Sequence, residues 1–457
     1  EIWPRDWSSD VCSSDLNMQF LIQGDRGIWV EYLQLALTRA GYPTRIDGIF
    51  GEHTCQALKD FTGNTDVCTV NRAVWEQLKP YLTGYRMHTI EKGDTVFGLS
   101  RRYGTTEEAI LVANPLIDPD DLVVDAVLTI PLGFPLVPQM VKYTSVLTQW
   151  IVEGLVVRYP FLSTGVIGKS VMGKDIHSLW IGTGEKQVFY SASYHANESI
   201  TTPVLLTFAE EYAAAYAAGG NIAFSSAARE ENDGQTGMGQ ESVDARTLFD
   251  EFRLCMVPLV NPDGVDLVNG LLNSGVYYRR AKRIADDYPS IPFPDGWKAN
   301  IDGVDLNLQF PAGWEMAKQI KFSQGYDKPA PRDYVGKAPL TAPESVAVYE
   351  LTKENDFLLI LAYHTQGEVI YWKYLDYEPA RSKEIADYFG SVSGYAVEET
   401  PGASGYAGYK DWFIEEYDRP GYTVEAGMGE NPLPMTQFER IYHDNKGILV
   451  GGMTQLR

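Results

Sequence analysis

The chain has 457 residues, 44% of them hydrophobic and 22% charged, and its 61 acidic against 38 basic side chains give a formal net charge of -23. That length exceeds one ordinary hydrophobic core and predicts two or three domains. The acidic excess excludes a nucleic-acid partner, which needs a basic footprint, as well as electrostatic docking on anionic lipid, and no apolar run approaches the ~18–20 residues of a membrane span.

Residues 1–16, EIWPRDWSSDVCSSDL, show no helical or strand period and no basic start followed by an apolar stretch. The string resembles translated sequencing-adapter read-through, so it is expected to be non-native, with a start at Met18 or one now lost. A missing signal peptide therefore carries no information about secretion.

Residues 17–83 hold two helical patterns, around Trp29–Ala40 and His53–Phe61, separated by the turn-rich Arg45–Gly51. Leu33, Leu37, Ala57, Leu58 and Phe61 supply an apolar face. The order GDRGxxVxxLQxxLxxxGY, then DGxFGxxTxxAL, resembles the peptidoglycan-binding module of bacterial wall hydrolases and implies a small helical module. Cys55 and Cys68 can pair within it or stand as two buried thiols, and with so few cysteines the thiols are the expectation. Cys255, inside the apolar run Leu254–Val260, reads as core.

Residues 86–132 read strand, helix, helix, strand. HTIEKGDTVFGLSRRYGTT, EEAILVANPLIDPDDL and VLTIP together resemble a lysin motif. In that family the loops matching Gly93–Val96 and Asn114–Asp118 form a groove for N-acetylglucosamine. The resemblance therefore implies glycan contacts from Asp94, Thr95, Asn114 and Ile117. His88 and Glu91, which repeat a metal-binding HxxE spacing, are expected to be solvated. Pro131–Pro138 reads as a linker.

Residues 136–457 alternate strand-like runs (Val188–Ser193, Leu254–Leu259, Phe357–Ala362 and Gly421–Val424) with amphipathic helices such as Thr202–Ala218. Such alternation predicts an α/β domain, a sheet with helices on both faces. Gly219–Asp244, polar and Gly-rich, reads as a long exposed loop. His53, His177 and His443 read as ordinary surface or structural residues.

Chemistry enters at His195-Ala196-Asn197-Glu198, directly after a strand. Zinc needs nitrogen or oxygen ligands and an open position, and HxxE at a strand end supplies two ligands from one turn. The motif is weak alone, but its company is ordered: Asn261-Pro262-Asp263-Gly264, Trp297-Lys298, Gly303-Val304-Asp305-Leu306-Asn307, His364 ending LLILAYH, and Thr423-Val424-Glu425. This order, with the lead-in Trp180-Ile181-Gly182-Thr183-Gly184, resembles the zinc carboxypeptidases. The resemblance implies a mixed twisted sheet flanked by helices and one zinc ion held by His195, Glu198 and His364. It further implies Asp305 behind the first histidine, Glu425 as general base, Lys298 where the family has its electrophilic arginine, and Asn307 as a substrate contact.

Two departures shape the expected substrate. Leu308 replaces the arginine that clamps a free C-terminal carboxylate in the family, removing a bidentate contact. Lys410 stands where the family lines the pocket beyond the scissile bond, and a cation there favours a side chain ending in carboxylate, as in meso-diaminopimelate. The mobile tyrosine of the family has no clear match, and Tyr406 is the substitute. FPDGWKANIDGVDLNLQFPAGW and GYAGYKDWF are similar to γ-D-glutamyl-L-diamino-acid endopeptidases. The expected function is hydrolysis of peptidoglycan stem peptides at the γ-D-glutamyl–diaminopimelate bond. The expected partners are the wall's glycan and peptides, and the expected place is the cell wall or outside the cell, with a cytoplasmic or spore compartment left open by the uncertain start. A conventional carboxypeptidase or another amide hydrolase on the same fold, and a non-catalytic wall-binding protein, are the rivals.

Overall fold

A computed structural model describes residues 18–65, 68–230, 236–402 and 405–457. The read-through expected at 1–16 lies outside the described residues. The chain divides into two compact units, Glu1–Leu82 and Thr83–Arg457.

In the first unit, helices Ile28–Arg39, Glu52–Thr62 and Arg72–Leu78 surround a core that includes Tyr32, Leu33, Leu37, Leu58 and Trp75. Buried Gln34 organises the turn between the first two helices. Its Oε1 accepts from the Asp47 and Gly48 amides (3.0 and 2.9 Å), and its Nε2 donates to Asp47 Oδ1 (2.9 Å) and Ile49 O (3.0 Å). Cys55 and Cys68 form a disulfide with Cα atoms 5.3 Å apart. This corrects the expectation of free thiols: the 13-residue spacing folds back through the short Leu21–Ile22/Thr69–Val70 strand pair.

The second unit begins with the βααβ segment, strands Tyr85–Thr89 and Val127–Pro131 pairing antiparallel around helices Val96–Tyr103 and Glu107–Ala113. Thr95 and Thr106 cap those helices by accepting from the Gly98 and Ala109 amides, each at 3.0 Å.

The rest is built on an eight-stranded mixed sheet. Its strands in chain order are β1 Ser163–Lys169, β2 Asp175–Ile181, β3 Lys186–Ala192, β4 Phe252–Val257, β5 Phe357–His364, β6 Val369–Tyr371, β7 Ala396–Glu398 and β8 Gly421–Glu425. Across the sheet they run β7-β6-β8-β5-β3-β4-β2-β1. The centre β8-β5-β3-β4 is parallel, so its carboxyl ends lie along one edge. These strands are near-continuous apolar runs because helices cover both faces. Helix Thr201–Ala217 buries eleven side chains, as a helix apolar on most sides must. Gly182, in the lead-in run, has φ +98°, and a Cβ there would sit 2.1 Å from the Phe252 carbonyl oxygen, so β2 can close onto β4 only with glycine.

Gly219–Asp244 is not a plain loop: Asn221–Glu230 pairs antiparallel with Thr236–Asp244 as a hairpin. Ile222 and Phe224 alternate inward at its start, but most of the remaining hairpin sequence is polar or glycine, which hides the strand signal. The expected linker is likewise a packed strap, with Leu136 and Val137 buried.

Candidate metal centre and its cleft

Three parallel strands deliver the chemistry. β3 ends at Ala192 and the chain turns through His195 into the short helix Ala196–Glu198; β5 ends on His364; β8 ends on Glu425, which stands in register with His364. Asn261, just beyond β4, fixes the turn. Its Oδ1 accepts from the Gly264 amide to start helix Pro262–Val268, and its Nδ2 donates to Tyr194 O and Ala299 O, each of the three bonds at 3.0 Å.

The donor atoms converge. His195 Nδ1 lies 2.9 Å from Glu198 Oε1, His364 Nδ1 lies 3.0 Å from Glu198 Oε2, and the two Nδ1 atoms are 3.3 Å apart. Two imidazole nitrogens facing each other over one buried carboxylate suit a divalent cation better than a hydrogen bond. The set fits zinc in donor type, with all three ligand atoms within 4.8 Å of one another. Asp305 Oδ1 is 3.0 Å from His195 Nε2, fixing the ring from behind. Burial opposes the charge on His195, yet Glu198 and Asp305 outweigh it and hold the imidazole up at about 9. Burial would lift the Glu198 carboxyl, but His195 and Lys298 hold it well below the usual carboxylate range.

A cleft of about 230 Å³ opens beside this centre, lined in part by His195, Lys298, Asp305, Asn307, Lys410 and Glu425. The structure thus brings together most residues singled out from sequence. Lys298 Nζ donates to Glu198 Oε1 at 2.7 Å. Burial raises the Glu425 carboxyl, against the pull of His364 and with the help of Glu198. Asn307 Oδ1 accepts from the Tyr409 amide at 3.1 Å. Lys410 is buried, its Nζ bonded to Lys373 O (2.7 Å) and Thr400 Oγ1 (3.1 Å) and paired with Asp411 at 2.5 Å.

Tyr406 does not line the cleft. It packs with Leu308, Trp314 and Val335 and meets Tyr374 edge-on, because Gly313 leaves room for its ring. The tyrosine at the cleft is Tyr371, at the end of β6. Lys321, Arg332 and Asp333 also line it, and sequence reasoning missed all four. Thr365 and Asn431 were missed as well: the Thr365 amide donates to Glu198 Oε2 (3.2 Å), and Asn431 Nδ2 to Thr365 O (2.9 Å). None of these lies in a motif with its own spacing. For Tyr371 the available signal was the pairing of its strand with β8.

A zinc carboxypeptidase family model matches residues 148–447. The chain belongs to the zinc carboxypeptidase family. It is a metallopeptidase by that membership, with zinc as the cofactor. A LysM domain model matches residues 88–131. The chain is 43% identical over 303 residues to gamma-D-glutamyl-L-diamino acid endopeptidase 1 of Lysinibacillus sphaericus, covering 66% of this chain and 70% of that protein. It is 43% identical over 295 residues to the uncharacterized protein YqgT of Bacillus subtilis, covering 64% and 72%. Among solved structures, bovine thrombin-activatable fibrinolysis inhibitor in complex with tick carboxypeptidase inhibitor is similar at TM-score 0.49 and 14% identity, covering 69% of this chain and 97% of that one.

In the lysin-motif domain the expected glycan contacts are largely committed to the fold. Asp94 Oδ2 accepts from the Glu91 amide and lies 2.8 Å from His88 Nε2. Thr95 is a helix cap. Asn114 Nδ2 donates to Ile110 O and Thr129 O, both at 2.7 Å, while its Oδ1 accepts from the Thr129 amide at 2.9 Å. Ile117 packs against the apolar core. His88 is buried between Asp94 and Tyr103, not solvated, because its inward register position gives the ring two polar partners.

Proposed function

We propose that this chain hydrolyses peptidoglycan stem peptides at the bond between γ-D-glutamate and diaminopimelate. The observation that carries the reading is the pairing of His364 with Glu425 at the carboxyl ends of β5 and β8, beside His195 and Glu198. The endopeptidase name of the 43%-identical relative supports the substrate class, and Leu308, packed into an apolar cluster, is no clamp for a terminal carboxylate.

His195, Glu198 and His364 would hold the zinc ion. When bound, zinc supplies a Lewis acid that lowers the pKa of water and polarises a carbonyl. Glu425 takes the proton of the attacking water and passes it to the departing amine. Lys298 offers its ammonium to the oxygen that gains charge, without the fork of an arginine. Asp305 keeps His195 in one tautomer. Asn307 and Lys410 contact the diamino acid, Lys410 with its charge shared with Asp411. Residues 17–83 act as a peptidoglycan-binding module, 86–132 as the lysin motif and 136–457 as the catalytic domain. A cell-wall or extracellular setting is supported by the LysM match and by the Cys55–Cys68 bond, which persists where conditions are oxidising.

The test separates metal from base. His364→Ala should lose most bound zinc, whereas Glu425→Gln should keep one zinc per chain by plasma emission and lose turnover. Zinc lost from Glu425→Gln along with activity would make Glu425 structural.

A further inference from the structure

The cleft holds more cations than the mechanism uses. Lys298 is engaged by Glu198 and Lys410 by Asp411, but Lys321 and Arg332 share the single carboxylate of Asp333. Of those two, Lys321 is 12% exposed and Arg332 is 42% exposed. Among the described residues, the Arg332 guanidinium donates only through Nε, to Asp333 Oδ2 at 2.6 Å, so its terminal nitrogens are free.

Backbone bonds fix where this arginine stands. Its predecessor, Pro331, accepts from the Lys298 and Ala299 amides at 2.7 and 2.9 Å. Its successor, Asp333, donates its amide to Asp305 Oδ2 at 3.1 Å. Arg332 is therefore clipped between the segment carrying Lys298 and the carboxylate that orients His195. Asp333 has φ +65°, a left-handed conformation that an aspartate tolerates at some cost and that makes this clip a defined feature. The positive charge of Arg332 is felt at Lys298 and at Asp305.

We infer that Arg332, braced by Asp333, binds a free carboxylate on the acyl side of the scissile bond, the α-carboxylate of the γ-linked D-glutamate. This deepens the proposed function and rests on it. In a γ-linked residue the α-carboxylate stands four bonds from the scissile carbonyl, about 5 Å when extended. Lys298, which faces that carbonyl's oxygen, is the backbone neighbour of the Arg332 loop. A half-exposed guanidinium with both terminal groups free offers a bidentate fork to carboxylate and much less to a neutral amide.

The test compares L-Ala-γ-D-Glu-meso-diaminopimelate with the peptide whose D-glutamate α-carboxylate is amidated, using the zinc-loaded full chain. The wild type should favour the acid by roughly ten- to a hundredfold in kcat/KM. Arg332→Gln should lose that preference, mainly through a higher KM for the acid, with zinc content and melting temperature unchanged, and Arg332→Lys should recover part of it. A wild type indifferent to amidation overturns the inference, as does an Arg332→Gln that keeps the preference or slows both peptides alike. A wild type that cuts neither peptide overturns the proposed function itself, and this inference with it.

Discussion

Asp305 divides its two oxygens between a ring and a backbone clip: Oδ1 reaches His195, and Oδ2 accepts the Asp333 amide. At this scale His195, Glu198, Asp305, His364 and Glu425 were legible because each ends a strand or sits in a motif of fixed order. Arg332 and Tyr371 were not, since only backbone pairing between distant segments brings them to the cleft. Glu344 was also illegible. It is fully buried, accepts from the Val171 amide (3.1 Å) and Asn300 Nδ2 (3.0 Å), and has no cation partner among the described residues. Burial pushes its carboxyl up to about 7. A folded value above the unfolded one means that its contribution is fully present below about pH 4.5 and is lost as pH rises through about 7. Stability of the wild type relative to Glu344→Gln should therefore fall by up to about 3 kcal/mol between pH 4.5 and 8. Denaturation curves at both pH values check this, and parallel behaviour of the two proteins would refute it.

Among elements, the four central strands were legible because burial on both faces writes continuous apolar runs into the sequence. The Asn221–Asp244 hairpin was not, since its strands lack such runs. In the lysin-motif domain the sequence marked Asn114 for glycan contact, and its side chain holds strand Val127–Pro131 to the end of helix Glu107–Ala113. Asn114→Ala leaves Ile110 O and both backbone polar groups of Thr129 short of a partner. It should destabilise this domain by about 2–3 kcal/mol. Hydrogen exchange at the Thr129 amide should then speed up at least tenfold, and unchanged protection would show that Asn114 does not hold this strand.

For the molecule as a whole, the strap of residues 132–137 matters more than its proline-rich sequence indicates. Buried Arg158 donates Nε to Gly84 O (3.0 Å), Nη1 to Phe134 O (3.0 Å) and Nη2 to Leu132 O (2.8 Å). Glu210 accepts from the Leu136 and Val137 amides at 2.6 and 2.9 Å. These bonds fasten the lysin-motif domain to the region that matches the zinc carboxypeptidase family, whereas Glu1–Leu82 forms a separate unit. Deleting residues 1–82 should leave turnover of a soluble stem peptide near wild type. Deleting 1–135 should lower the melting temperature, because it removes three of the four acceptors of Arg158 and leaves only Glu210. Equal melting of the two truncations would show the strap to be a free linker.

Which bond is cut is decided by one digestion of L-Ala-γ-D-Glu-meso-diaminopimelyl-D-Ala read by mass spectrometry. Cleavage at the γ-D-glutamyl bond gives L-Ala-D-Glu and diaminopimelyl-D-Ala as the expected products. Release of D-alanine alone would mean a conventional carboxypeptidase, and an intact peptide with full zinc would contradict the assignment of this substrate.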